Sequence, residues 1–245
     1  MEWNVFSEQI VKVLKLKGNP VAITYSMNPP SKSGGRKCRV CDAFLRARDG
    51  EVVDLTASTL TCPGGIWHLG LGERPKGEAA KTFKEFLVNG EKLYCSIAAL
   101  HRSQVLTTEP PFGLADHVIL SPLNEAEFRP DIVLFICNAE QACRLVTLDN
   151  YDTGIPPKTE MAGSTCHQAV AYSIVSGELN ISLMDYTSRH IQGYKPEDLL
   201  VSIPYHRFHG VMRSIEHCTA GTAKMEMPES FRHLISADAS IDSED

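Results

Sequence analysis

The stretch DIVLFICNAEQA, residues 131–142, decides the class of fold. Its first half is a nearly continuous apolar run of strand length, which is typical of a strand buried on both faces of a sheet. Its second half opens a helical pattern that continues to Leu148. A buried strand followed at once by a helix indicates a sheet that is covered by helices.

Helical and strand patterns alternate on both sides of this stretch. Before it, the apolar spacing predicts helices over 3–14, 38–48, 76–88 and 92–101 and strands over 20–25, 51–56 and 117–120. After it, a helix is expected over 166–175 and a strand over 178–184. We therefore expect one domain over residues 1–234, of the α/β or α+β class, with a mixed sheet flanked by helices. A less regular N-terminal region that contains cysteines is expected to pack on this sheet.

Composition limits the classes of partner. The 245 residues carry a net charge of -6, so the chain has no general attraction to nucleic acid or to anionic lipid. No apolar run reaches the roughly 18 residues that a membrane span needs. We expect a globular protein that binds neither nucleic acid nor membrane, and whose small, acidic residues 235–245 form a disordered tail.

The start of the chain and its cysteine content bear on location. Residues 1–4, MEWN, include neither the basic nor the apolar segment of a secretory signal, so we expect a cytoplasmic protein. Because the cytosol is reducing, the eight cysteines are expected to be thiols, thiolates or ligands. We also expect self-association, although no interface stripe is identifiable in the sequence.

Cys38-Arg39-Val40-Cys41 is the first motif that can carry chemistry. Two sulfurs three residues apart can bind one ion or cluster, or close into a redox disulfide. If a helix begins at Cys38, its unpaired amides and the neighbouring cations favour the thiolate, which is the form that ligates metal. The alternative is that Cys41 packs in the core and Cys38 has no role.

Cys62-Pro63-Gly64-Gly65 is the second cysteine motif. A Cys-Pro step is common at iron-sulfur ligands, and Gly64 and Gly65 would let backbone amides approach and hydrogen-bond a sulfur. The alternative is an ordinary Pro-Gly turn with a buried cysteine.

Cys166 is the candidate for the fourth ligand. Ser164 or Thr165 can cap a helix that begins there, which would place another sulfur at a positive helix end. His167 and His68 are rival ligands. For the remaining cysteines we favour packing in the core; they are Cys95, Cys137, Cys143 and Cys218.

Polar residues elsewhere are candidates for binding a cofactor. Asn138, Glu140 and Gln141 lie where a buried strand passes into a helix, a place where open α/β sheets often bind ligands. Arg189 follows a predicted strand among hydroxyl side chains and could pair with an anion. The alternatives are a capped helix with a solvated Glu140, and a polar turn around Arg189.

Several short motifs, taken in order, resemble one protein family. They are Gly18-Asn19-Pro20-Val21-Ala22, Cys41, Cys62-Pro63-Gly64-Gly65 with Leu69-Gly70-Leu71-Gly72, Pro130-Asp131-Ile132-Val133-Leu134, Asn138-Ala139-Glu140-Gln141-Ala142, Cys166 and Ser188-Arg189. This pattern, over about residues 8 to 217, resembles the domain of unknown function 169 family. The resemblance implies a cytoplasmic, cysteine-containing protein of archaea and anaerobic bacteria, without an agreed activity. Cys38 is an addition beside the family-like Cys41.

The leading hypothesis is an iron-sulfur protein whose cluster is bound by Cys38, Cys41, Cys62 and Cys166. It would transfer electrons or reduce a small molecule or cofactor precursor, with a small molecule or a redox protein as partner. A second hypothesis is a non-catalytic small-molecule-binding module with a structural zinc site. A third is a metal-free thiol-redox protein. The sequence leaves open whether the protein is an enzyme.

Overall fold

The computed structural model describes residues 2–34, 36–161, 163–225 and 228–234. The strands are β1 (Val21–Ser26), β2 (Val53–Leu55), β3 (His117–Pro122), β4 (Ile132–Cys137), β5 (Asn180–Ser182) and β6 (Leu199–Pro204). The α-helices are α1 (Glu2–Leu14), α2 (Val40–Arg48), α3 (Pro63–His68), α4 (Gly77–Glu85), α5 (Ile97–Leu106), α6 (Ala139–Asn150), α7 (Tyr172–Ser176), α8 (Tyr186–Gln192), α9 (Tyr205–Ser214) and α10 (Thr219–Thr222). None of these helices is long and apolar enough to cross a membrane. The predicted tail over 235–245 lies outside the described residues.

The six strands form one sheet in the order β2-β3-β1-β4-β6-β5, and neighbouring strands pair antiparallel. The α+β class is therefore confirmed, and the sheet is antiparallel where a mixed sheet was expected. Apolar periodicity locates strands but carries no information on their direction. The direction of a strand depends on the end of the sheet at which the preceding connection re-enters it. That end is set by how the connecting segments pack against the sheet.

The sheet separates two apolar cores. Ile132 and Leu134 of β4 face the first core, whereas Val133, Phe135 and Cys137 of the same strand face the second. Such alternation is the period of two expected for a strand that is covered on both faces. Helix α2 packs its buried side chains into the first core, and α1, α6 and α9 pack theirs into the second.

Two helix starts differ from the sequence prediction. Helix α2 begins at Val40, two residues after the predicted start, and Cys38 lies in an extended segment that bridges to Leu60. Helix α5 begins at Ile97, because the Ser96 hydroxyl caps it by accepting from the amide of Ala99. Capping chemistry rather than apolar spacing determines where α5 begins.

The later helix start also changes the position of one cysteine. Cys95, predicted in mid-helix, lies just before the Ser96 cap and is exposed. Cys143 on α6 is exposed as well, whereas Cys137 and Cys218 are buried in the second core. Core packing, which was favoured for all four cysteines, holds only for the last two.

Candidate thiol-lined cavity

A cavity of about 540 Å³ lies over the first core. Its inner wall is formed by the starts of α2, α3 and α8 and by residues 163–166, and the segment 77–107 forms the opposite wall. Most of the wall is apolar, with the aromatic and aliphatic side chains Trp67, Phe83, Phe86, Leu87, Leu93 and Leu100. A cavity of this size and character suits a small organic molecule.

Three of the four predicted metal ligands line this cavity: Cys41, Cys62 and Cys166. Cys41 is near the start of α2, Cys62 is the residue before α3, and Cys166 directly precedes the π-helix His167–Ala171. Three segments that are far apart in sequence therefore bring their sulfurs to one wall.

Backbone pairing positions the first two thiols. The amide of Cys38 donates to the carbonyl of Thr59 at 3.1 Å, and the amide of Thr61 donates to the carbonyl of Cys38 at 3.0 Å. These bonds join the start of α2 to the segment that precedes Cys62. At Gly65, an added Cβ would lie 2.7 Å from Cγ2 of Val40, so this glycine permits the close packing of α3 on α2.

Gly64 and Gly65, both predicted to bind a cofactor, differ in position. Gly64 lines the cavity, and an added Cβ there would lie 3.8 Å from Sγ of Cys62, which is ordinary contact. Gly65 packs against Val40 and Leu60 instead.

Cys38, the fourth predicted ligand, is buried in the first core and is not among the described residues that line the cavity. Residues three apart share a face only when both belong to the same helix. Because α2 begins after Cys38, the two cysteines of this motif do not share a helical face.

Burial controls the protonation of the cavity thiols. It raises the pKa of Cys41 to about 11, although a hydrogen bond with Ser188 and the charge of Arg39 lower it in part. Burial also raises the pKa of Cys166, and the Ser164 hydroxyl lies 3.3 Å from its sulfur. At neutral pH both groups are therefore neutral thiols unless a cation compensates their charge.

Asp185 lines the cavity but is saturated with hydrogen bonds. Its carboxylate accepts from the amide and hydroxyl of Thr165 at 2.8 and 2.7 Å. It also accepts from the amide and hydroxyl of Ser188 at 2.7 and 2.8 Å, which caps α8. Asp185 thus attaches the Cys166 segment to α8.

His68 and His167, the rival ligands, lie beside each other with ring centroids 5.7 Å apart. His68 lines the cavity, and burial, with the nearby His167 and Arg74, lowers its pKa to about 3. His68 is therefore neutral, and its 3.6 Å approach to Glu109 is not an ion pair. Nε2 of His167 lies 2.7 Å from the carboxylate of Glu160.

The donor set does not match a single metal ion in this arrangement. Among the described residues, no group of three or more His, Cys, Asp or Glu side chains is placed to hold one ion. A tetrahedral zinc site has Zn–S distances of about 2.3 Å, which brings its sulfurs to about 4 Å from one another. Thiolates as a class are ligands of both zinc and iron-sulfur clusters.

The predicted cofactor residues on α6 have structural contacts. Asn138 and Gln141 form a capping box, and Nε2 of Gln141 donates to the carbonyls of Leu14 and Lys15 at 2.9 and 3.0 Å. Glu140 lies 3.8 Å from Arg144 on the helix surface. Of the described residues that line the cavity, none comes from this helix.

Arg189 likewise binds the backbone. Its guanidinium donates to four carbonyl oxygens, at 3.1, 2.7, 2.9 and 2.7 Å; they belong to Leu183, Asp198, Lys195 and Pro196. These contacts hold the loop after α8 against the segment that precedes the helix. They give the Arg189 side chain a structural role.

The apolar wall and Arg39 were not identified as site residues from the sequence. Phe83, Phe86 and Leu87 recur at helical spacing, which indicates a helix but not what its apolar face covers. In the sequence, Arg39 is one of several cations near Cys38 and has no feature that distinguishes it from the others. A cavity between an outer segment and a core becomes visible only in three dimensions.

The fold and the cavity define an antiparallel α+β protein with a mainly apolar internal cavity that is lined by three thiols. The chain belongs to the domain of unknown function 169 family, described as uncharacterised ArCR, whose model matches residues 9–214. A relative in Methanocaldococcus jannaschii, described as an uncharacterized protein, is 27% identical over 187 residues, which cover 73% of this chain and 76% of the relative. No solved structure matches the chain.

Proposed function

We propose that this protein binds a mainly apolar small molecule in the thiol-lined cavity and reduces it at an iron-sulfur centre held by Cys41, Cys62 and Cys166. The observation that carries the proposal is the convergence of these three cysteines, from three separate segments, on one cavity of about 540 Å³. When bound, the cluster would pass electrons to this molecule from an external donor, a reduced redox protein.

The cavity favours a reaction on a small molecule over electron transfer alone. A protein that only passes electrons needs a centre near its surface and no internal space for an organic ligand. Here the thiols share their cavity with Trp67, Phe83 and Leu100, which offer an apolar surface to a ligand.

The protonation of the thiols favours a metal centre over metal-free thiol chemistry. A redox thiol reacts as the thiolate, and a pKa of about 11 leaves Cys41 almost fully protonated at neutral pH. Binding to a cation removes that obstacle, because a coordinating thiol is deprotonated. Buried thiols are therefore useful here as ligands rather than as free nucleophiles.

The surroundings of the thiols can stabilise negative charge. Nη2 of Arg39 lies 3.9 Å from Sγ of Cys62, and Cys41 is in the first turn of α2, whose positive end favours a thiolate. Gly64 leaves space beside Cys62. Cys38 lies in the first core, so we propose three protein thiolates rather than four.

We also propose that the protein works in a reducing cytoplasm, as oxygen-sensitive clusters require. The eight cysteines are free thiols in the structure, which is what a reducing compartment maintains.

The test is iron, zinc and acid-labile sulfide analysis, with a visible spectrum, on protein purified without oxygen and without added metal. We expect iron, sulfide and a broad band near roughly 400 nm. Cys41→Ser, Cys62→Ser and Cys166→Ser should each lose the band. Cys143→Ser is the matched control, because Cys143 is exposed and lies on α6, away from the cavity wall.

The outcomes separate the alternatives. Retention of the band in Cys38→Ser supports three protein ligands, whereas its loss would restore Cys38 to the site and overturn the three-thiolate proposal. Stoichiometric zinc, or no metal at all, would overturn the iron-sulfur proposal.

A further inference from the structure

We propose that the ligand of the cavity is an amphipathic anion, with a carboxylate or similar oxyanion bound by Arg39 at the thiol end and an apolar body against the aromatic wall. This inference rests on the part of the proposed function that places a small molecule in the cavity. The inference adds the chemical class of that molecule, about which the three thiols give no information.

The first observation is the state of Arg39. It lines the cavity, is partly buried, and makes one side-chain hydrogen bond among the described residues, the long contact of 3.9 Å to Cys62. No carboxylate of the described residues lies within 4.0 Å of its guanidinium. By contrast, Arg46 pairs with Glu51 and Arg74 pairs with Glu109.

A guanidinium has five N–H donors arranged for two-point contact with an oxyanion. With one donor on Cys62, the others of Arg39 have no acceptor in the described part of the chain. A partly buried cation with unused donors at a cavity wall is a site for a ligand acceptor.

The second observation is that the start of α2, where Arg39 is the N-cap residue, has no side-chain cap. No side chain accepts from the first amides of this nine-residue helix, and Val40 and Cys41 of its first turn line the cavity. A helix start with unpaired amides carries partial positive charge and binds anions. Arg39 and the helix start therefore favour negative charge at the same end of the cavity.

Two carboxylates line the cavity, Asp185 and Glu91, and neither lies within 4.0 Å of the guanidinium of Arg39. Asp185 already accepts hydrogen bonds from Thr165 and Ser188. Glu91 forms no ion pair with Arg39 within 4.0 Å; burial and the charge of Asp185 raise its pKa, whereas the charge of Arg39 lowers it. Arg39 has no ion-pair partner among the described residues, and its guanidinium therefore has donors for an incoming oxyanion.

The other end of the cavity determines the remainder of the ligand. Trp67 and Phe83 pack edge to face with ring centroids 5.2 Å apart, and Leu87 and Leu100 extend the apolar surface. A purely polar anion such as inorganic phosphate would leave this surface without contact. The cavity therefore selects a molecule with both an oxyanion and an apolar body.

The test uses two fluorescent probes that differ by one anionic group, anilinonaphthalene sulfonate and the uncharged phenylnaphthylamine. Both are titrated into protein as isolated without oxygen. We expect one probe molecule per chain, with Arg39→Gln weakening the sulfonate probe by about tenfold or more, since charged hydrogen bonds contribute strongly. The uncharged probe should change by less than about twofold. Arg39→Lys should restore part of the sulfonate affinity.

The matched control is Arg36→Gln, which removes a nearby positive charge that is exposed and does not line the cavity. It should leave both affinities unchanged. Equal sulfonate affinities for Arg39→Gln and the unaltered protein would overturn the inference, and so would an equal loss in Arg36→Gln.

A cavity-filling variant separates this inference from the proposed function. Gly64→Phe should abolish binding of both probes, with an unchanged circular dichroism spectrum to show that the chain folds. If both probes still bind this variant, they do not bind in the cavity. That result would overturn the proposal that the cavity is the ligand-binding site. If metal is absent but the probes respond to Arg39 as expected, the iron-sulfur proposal fails while the anion inference stands.

Discussion

At the scale of single residues, burial determines the chemistry of the cavity wall. Cys41 is kept protonated and His68 is kept neutral for the same reason, because a buried charge loses its hydration. The proximity of Glu109 does not reverse this at His68, since 3.6 Å is too long for a hydrogen bond. The wall thus presents neutral thiols and a neutral imidazole, together with the carboxylates Asp185 and Glu91 and, at the thiol end, the guanidinium of Arg39.

His68 makes stability depend on pH. Its pKa is about 3 in the folded protein against a usual 6.5, so between these values the unfolded chain binds a proton that the folded chain does not. The free energy of unfolding therefore falls as the pH decreases below 6.5, and this group accounts for a loss of about 2 kcal/mol between pH 7 and pH 5. Urea denaturation at both pH values should show this loss, and His68→Gln should lack it. His101→Gln, at an exposed position, should retain it.

At the scale of elements, α4, the π-helix Phe86–Gly90 and α5 form the outer wall of the cavity. Neither α4 nor this π-helix has a fully buried residue, and α5 has one, Leu100. Elements with little buried apolar surface open more readily than the strands of the core. A ligand that bridges this wall and α3 would stabilise it.

We expect amides in 77–106 to exchange with deuterium faster than those of β4. Binding of anilinonaphthalene sulfonate should slow exchange in 77–106 and leave α6, which packs in the second core, unchanged. Mass spectrometry of peptides measures both effects. Exchange in 77–106 as slow as in β4, or unaffected by the probe, would contradict the prediction.

At the scale of the whole molecule, the sheet separates the cavity from the second core. Arg207 of α9 binds Asp149 of α6 at 2.6 Å and Glu178 at 2.6 Å. The Asp149 side chain is 1% exposed, so it depends on Arg207 for compensation of its charge. This contact stabilises the protein without touching the cavity wall.

Arg207→Met should lower the free energy of unfolding by about 3 kcal/mol, because it leaves a buried carboxylate unpaired. Arg213→Met is the control, since Arg213 and Asp152 form an exposed pair at 3.5 Å and such pairs contribute little. Chemical denaturation measures both changes. Probe affinity in the cavity should be the same in the two variants, and a selective loss in Arg207→Met would show that the two faces are coupled.

What the sequence alone determined was the local structure and the set of reactive residues. Apolar periodicity predicted β4 and α6, because strand and helix place side chains on defined faces. The Cys-Pro-Gly-Gly motif and Cys166 were identified as candidate ligands from composition and spacing. These features depend only on neighbours in the chain.

Only the tertiary structure decided how the elements combine. Strand direction, the exclusion of Cys38 from the cavity wall and the use of Gln141 and Arg189 as backbone donors all depend on contacts between distant segments. The same is true of Arg39, whose lack of a carboxylate partner among the described residues follows from where α2 packs. Long-range packing creates the cavity and leaves Arg39 without that partner, and neither is encoded in the spacing of residues along the chain.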